Sequence, residues 1–141
     1  MEIGAKLLIS NPKYMHLVRN LTRGSAELIG FSKIDSEKIS LAIDEACTNI
    51  IKHSYNNDFN QKIVINIYLD EKKLEVHLKD FGKKLDLSEI KFRNIRKIKP
   101  GGLGVSLIVK IMDIVEYINT SENCNIVKLT KFLKPGSGDN P

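Results

Sequence analysis

The chain has 141 residues, of which 42% are hydrophobic and 28% charged, and it carries a formal net charge of +5. That length fits one domain, and that balance fills a core while wetting a surface, so neither global disorder nor a spanning run of roughly 20 apolar residues fits it. The positive charge suits acidic or polyanionic partners, nucleotide among them.

Two cysteines, Cys47 and Cys124, lie far apart and outside any metal-ligand spacing, which fits a reducing compartment. MEIGAKLLIS has no apolar signal region, so the expected location is the cytoplasm, with no membrane partner. Residues 3–9 read as a short edge strand. Asn11-Pro12 then opens a first helix with Tyr14, Leu17, Val18, Leu21, Leu28 and Ile29 as its apolar positions, and Gly30 ends it. A second helix is expected from an N-cap at Asp35 or Ser36, with Ile39, Ala42, Ile43, Ala46 and Ile50 along one face. Residues 62–70 and 73–80 alternate with period two and form a hairpin about Asp70-Glu71-Lys72. The basic stretch from Lys83 to Pro100 lacks either period for most of its length and reads as a lid, a binding loop or a disordered segment. Gly101-Gly102-Leu103-Gly104 opens a third helix with Leu107, Ile108, Ile111 and Met112 inward. Strands over 114–120 and 125–133 follow. The domain is expected to span residues 1–134, with 135–141 a disordered tail.

Three short stretches carry chemistry. On the second helix Glu45 and Asn49 are one turn apart and Lys52 is three residues further on, so all three share a side. An amide oxygen is a hard neutral ligand for Mg²⁺, a carboxylate can take a proton from a nucleophile, and a lysine can touch phosphate oxygen. Taken alone, the same residues also fit an ordinary solvated helix side. At the end of the second hairpin strand, Asp80 can accept from an exocyclic amine such as that of adenine, and Gly82 allows close backbone approach; a plain turn fits equally. The glycines before the third helix make a natural phosphate cradle, or a lid hinge.

The order of these features, Glu-x-x-x-Asn on a helix, a hairpin ending Asp-x-Gly, a long basic loop and Gly-Gly-x-Gly on a helix, resembles the nucleotide-binding boxes of the GHKL ATPases, the Bergerat-fold group. Within it, Thr48-Asn49, His53-Ser54-Tyr55 and Pro100-Gly101-Gly102-Leu103-Gly104 look most like the bacterial anti-sigma-factor serine/threonine kinases. The resemblance implies an α/β (α+β) fold: a two-layer sandwich whose mixed, mainly antiparallel sheet carries helices on one face. It implies ATP and Mg²⁺ as cofactors, with Asn49 holding the metal, Glu45 as catalytic base toward a protein serine or threonine, and Asp80 recognising adenine. Gly82 would admit the base, and Gly101, Gly102, Leu103 and Gly104 would wrap the phosphates. It further implies an ATP-bound homodimer that sequesters a sigma factor and phosphorylates a STAS-domain antagonist. Arg19 stands where such kinases meet a partner, though an ordinary surface arginine also fits.

Two positions depart from the family pattern. Lys84 stands where many relatives have a second glycine, and Cys124-Asn125 replace a Gly-Thr whose threonine supports the adenine contact; Asn125 is the candidate to hydrogen-bond in its place. His53 reads as a packing or hydrogen-bonding residue, and with no phosphotransfer helix ahead of it a histidine autokinase is not expected. The basic run Lys91, Arg93, Arg96, Lys97, Lys99 could screen triphosphate or meet an acidic protein, and a plain solvated loop fits equally, but with Phe92 alone among aromatics it does not suit nucleic-acid binding. Two rivals remain open at this point: a non-catalytic nucleotide-binding module that sequesters a protein partner, and an ATP-hydrolysing switch without a protein acceptor.

Overall fold

The computed structural model describes residues 1–8, 12–58, 60–83, 103–119 and 123–134. In chain order these form strand β1 (Glu2–Leu8), helix α1 (Pro12–Ile29), helix α2 (Lys33–Asn49) continued by a π-helical turn (Ile50–Ser54), the hairpin β2 (Lys62–Leu69) and β3 (Lys73–Asp80), helix α3 (Leu103–Ile111), and strands β4 (Ile114–Asn119) and β5 (Asn125–Phe132). The sheet order is β1-β2-β3-β5-β4. Every pairing in it is antiparallel, rather than the mixture the family resemblance implied. The first strand lies at an edge, as expected, and pairs with β2.

Period-two patterning sets the register. Ile65 faces Leu78 and Ile67 faces Val76, and across the next pair Val76 faces Leu129 and Leu78 faces Val127. All six are buried and join one core with Ile39, Ala42, Ile43, Ala46 and Ile50 of α2 and its continuation. Burying each large aliphatic side chain contributes about 1.5–3 kcal/mol, so this single face dominates the stability of the sandwich. The hairpin turn closes through the Asp70 side chain, whose Oδ1 accepts from the backbone N–H groups of Lys72 and Lys73.

Two helix expectations are corrected. The N-cap of α2 is Ser32, three residues before Asp35 and four before Ser36: its side chain accepts from the backbone N–H of Asp35, which places Asp35 in the first turn, and Ser36 is buried. Ile34, at 69% exposure, is outward and breaks the apolar period there, which is why the sequence pattern begins late. In α1, Leu17 and Leu28 are exposed, although their spacing puts them among the apolar positions. Val18 is buried and Leu21 and Ile29 pack against the core as expected, but the buried stripe also takes in Thr22, Ser25 and Ala26. Thr22 Oγ1 donates to the Val18 carbonyl and Ser25 Oγ to the Leu21 carbonyl, so both hydroxyls are satisfied within the helix and small side chains can face α2. Salt bridges Arg19–Asp44 and Arg23–Glu37 then tie the two helices along their outer side.

Gly30 ends α1 as expected. At φ 115° it allows its own N–H to reach Glu27 O and that of Phe31 to reach Ala26 O, the paired bonds of a Schellman motif. The Lys131 ammonium donates to the Ile111 carbonyl at the end of α3, where helix carbonyls favour a cation.

On the sheet face away from the helices, Glu75 accepts from Lys128 at 3.2 Å and lies 3.3 Å from His77. Burial alone would raise the Glu75 carboxyl, but Lys128 and His77 outweigh it and hold it below the ordinary glutamate range. Its stabilising contribution is therefore present above that range and is lost as pH falls through the lower folded value. Glu75→Gln should cost about 0.2–1 kcal/mol at pH 7, and the gap to wild type should shrink once the pH falls below the ordinary glutamate range. Urea unfolding of both proteins at pH 7 and below that range checks this; an equal gap at both would assign the loss to packing instead.

Candidate functional site

The site is built where the end of α2 meets the ends of β3 and β5. Glu45 and Asn49 lie one turn apart near the end of α2, both half-buried. Neither side chain has a hydrogen-bond or ion-pair partner among the described residues. Their immediate neighbours differ: Asp44 pairs with Arg19 at 3.1 Å, and Thr48 Oγ1 donates to the Asp44 carbonyl. Of two adjacent acids, only Glu45 is left available. The same salt bridge accounts for Arg19, which is 36% exposed and tied to α2 rather than standing free.

Past Asn49 the backbone widens into the π turn, with the Tyr55 N–H bonding to Ile50 O. Such turns recur at functional sites because they shift the facing of every residue that follows. Lys52 and His53 both come out exposed, so His53 is not the packing residue its helical position suggests. Cys47, buried on the opposite side, has its thiol pushed up to about 12, first by burial and then by the Asp44 charge, which leaves it an unreactive core residue.

The turn delivers Ser54 and Tyr55 to the segment that follows β3. Ser54 Oγ donates to Asp80 Oδ1, and its carbonyl accepts from the Lys83 N–H at 2.8 Å. Tyr55 donates its hydroxyl proton to the Lys62 carbonyl and accepts from the Phe81 N–H at 2.8 Å. Burial of this phenol raises its pKa. Asp80 itself is buried, with only 3% exposed, and its Oδ1 also accepts from the Gly82 N–H at 3.0 Å and Asn125 Nδ2 at 3.0 Å. Asn125 reaches it because the two residues are register partners across β3 and β5. Sequence reasoning named Asp80, Gly82 and Asn125 separately. It quoted Ser54 only as part of the family resemblance and gave it no role, although a polar side chain at an otherwise apolar helix position was an available signal.

Gly82 has a packing reason of its own. A Cβ there would overlap the carbonyl oxygen, hydroxyl and carbonyl carbon of Ser54, the last at 2.7 Å. Leu103 and Gly104 stand at the start of α3, whereas Gly101, Gly102, Lys84 and the basic run from Lys91 to Lys99 lie outside the described residues. Among the described residues no cluster of three His, Cys, Asp or Glu could hold a metal by itself. No helix among them is long and apolar enough to cross a membrane.

Residues 8–131 match the family model described as the histidine kinase-like ATPase domain. The chain belongs to that family, among its serine-protein kinases. A serine-protein kinase RsbW of Oceanobacillus iheyensis is 32% identical over 127 residues, covering 84% of this chain and 77% of that protein. Two solved structures share the fold of this ATPase domain. One comes from the SiaB–SiaC complex of Pseudomonas aeruginosa, with a TM-score of 0.60 and 12% identity over 93% of this chain and 89% of that one. The other is the catalytic domain of histidine kinase ThkA, with a TM-score of 0.58 and 16% identity over 96% and 99%. The architecture read from the sequence is thus that of a histidine kinase-like ATPase domain, and the enzyme class is protein serine/threonine kinase.

Proposed function

We propose that this chain is an ATP-dependent serine/threonine kinase of a partner-switching pathway, which sequesters a sigma factor and phosphorylates a STAS-domain antagonist. The observation that carries the reading is the pair Glu45 and Asn49, half-buried and unpartnered among the described residues, while adjacent Asp44 and Thr48 are engaged. A helix side shaped only by solvent has no reason to sort its polar groups in this way.

The roles follow from chemistry. The Asn49 amide oxygen is a hard neutral donor and suits Mg²⁺, which keeps several waters and phosphate oxygens and does not require an all-protein cage. Bound there, the ion would screen the triphosphate charge. Glu45, one turn away, accepts the proton of the attacking serine or threonine hydroxyl; phosphoryl transfer otherwise depends on positioning and charge stabilisation. Asp80 accepts from the adenine amine through Oδ2, since every hydrogen bond it makes among the described residues falls on Oδ1. Lys52, exposed one turn past Asn49, is the candidate to meet phosphate oxygen. Gly101, Gly102, Leu103 and Gly104 complete the proposal as the phosphate-wrapping segment.

Two relationships support the partner-switching role: a relative is named as a serine-protein kinase, and a structural neighbour was solved with a second protein, SiaC. A homodimer working in the cytoplasm belongs to the same proposal. Calorimetric titration with ATP and Mg²⁺ tests the site. Asn49→Ala should weaken magnesium-dependent binding about tenfold or more, the effect of removing one charge-assisted contact. Equal affinity in variant and wild type, with and without Mg²⁺, would remove Asn49 from the site.

A further inference from the structure

We infer that Ser54 and Asn125 are positioning residues that set nucleobase selectivity by locking the Asp80 carboxylate, an inference that rests on the nucleotide reading above. Three donors converge on one oxygen of Asp80: the Ser54 hydroxyl, the Gly82 N–H and the Asn125 amide. The two side-chain donors are themselves joined, with Asn125 Nδ2 3.2 Å from Ser54 Oγ and 2.8 Å from the Lys83 carbonyl. The Ser54, Asp80 and Asn125 side chains are all buried. A carboxylate held by one oxygen in this way cannot rotate without breaking several bonds at once, so Oδ2 keeps one direction.

The consequence concerns what Oδ2 can accept. Adenine offers a donor at its 6-position and a 6-oxopurine offers a carbonyl oxygen there, so a fixed acceptor favours the first and opposes the second. A carboxylate free to swing would relax away from the wrong base and discriminate less. The clamp also links the two halves of the site. Ser54 ends the π turn that continues the helix of Glu45 and Asn49, and its carbonyl holds the Lys83 N–H. The base-reading end is thereby keyed to the phosphate-handling end through one residue.

The experiment is calorimetric titration with ATP and with ITP, which carries a carbonyl oxygen in place of the 6-amine, on wild type, Ser54→Ala and Asn125→Ala. Thermal unfolding of each protein accompanies it. Wild type should prefer ATP at least tenfold. Each variant should lower the ATP-over-ITP ratio by about tenfold, the size expected for one charge-assisted hydrogen bond, while ITP affinity stays within about twofold. A merely structural role would weaken both nucleotides together and leave the ratio unchanged, and that result in both variants overturns the inference. Wild-type discrimination that survives both substitutions overturns it too, with the nucleotide site intact. If wild type binds neither nucleotide, the nucleotide reading itself is what fails.

Discussion

Glu45→Gln should lower phosphate transfer to the proposed antagonist substrate by about 10²–10⁴-fold while leaving ATP affinity near that of wild type. The amide matches the carboxylate in shape and in reach along the helix but cannot accept the hydroxyl proton. Structural damage should be slight, because Glu45 makes no hydrogen bond or ion pair among the described residues and is only half-buried. That combination separates this position from Asp44, whose replacement would break the Arg19 salt bridge between α1 and α2 and blur catalysis with packing. Transfer of labelled γ-phosphate in a single turnover, read beside calorimetry, checks the split. Wild-type transfer by the glutamine variant would dismiss Glu45 as base, and no transfer by wild type itself would favour a chain that uses nucleotide only to set its shape.

Gly82→Ala should be the most damaging small substitution in the site. The added Cβ would meet the Ser54 backbone, which is held by the π turn and cannot yield as a flexible side-chain tip would. Either the Asp80–Lys83 segment moves outward or the turn unwinds, and overpacking of this kind costs about 1–3 kcal/mol. The Gly82 N–H and Lys83 N–H bonds would be strained together, so the Asp80 carboxylate would lose its alignment as well. Expected results are a lower urea midpoint and ATP binding weakened at least tenfold. An alanine variant with wild-type midpoint and affinity would mean that the segment has slack the packing does not suggest.

The two predictions differ in what made them legible. Glu45 and Asn49 are four residues apart on one helix, and helical geometry alone puts them together. The hairpin register was equally readable, because Ile63, Ile65, Ile67 and Leu69 alternate without a break and end at Asp70, whose side chain closes the turn. Reading α1 from its apolar residues gave Val18, Leu21 and Ile29 correctly but put Leu17 and Leu28 among them and left out Thr22 and Ser25, which satisfy their own hydroxyls within the helix and thereby pass as core residues. The start of α2 was set too late because Ile34 is an outward apolar residue in the first turn. Every described pairing in the sheet is antiparallel, so the expectation of a mainly antiparallel sheet holds and only its mixed part does not.

What the sequence determined by itself was local: helical and strand periods, the glycine cap that ends α1, and residue types suited to metal, proton and amine. These depend on neighbours within a few positions, where backbone geometry is nearly invariant. What only the tertiary structure decided was which polar groups are already engaged. Ser54, Asp80 and Asn125 are separated by 26 and 45 residues along the chain, yet share one oxygen. Their meeting depends on a π turn at the end of α2 and on the β3–β5 register, both products of packing the whole sheet against its helices. Long-range contacts of this kind leave no period in the sequence, so the distinction between Glu45 left open and Asp44 spent could be read only from the folded chain.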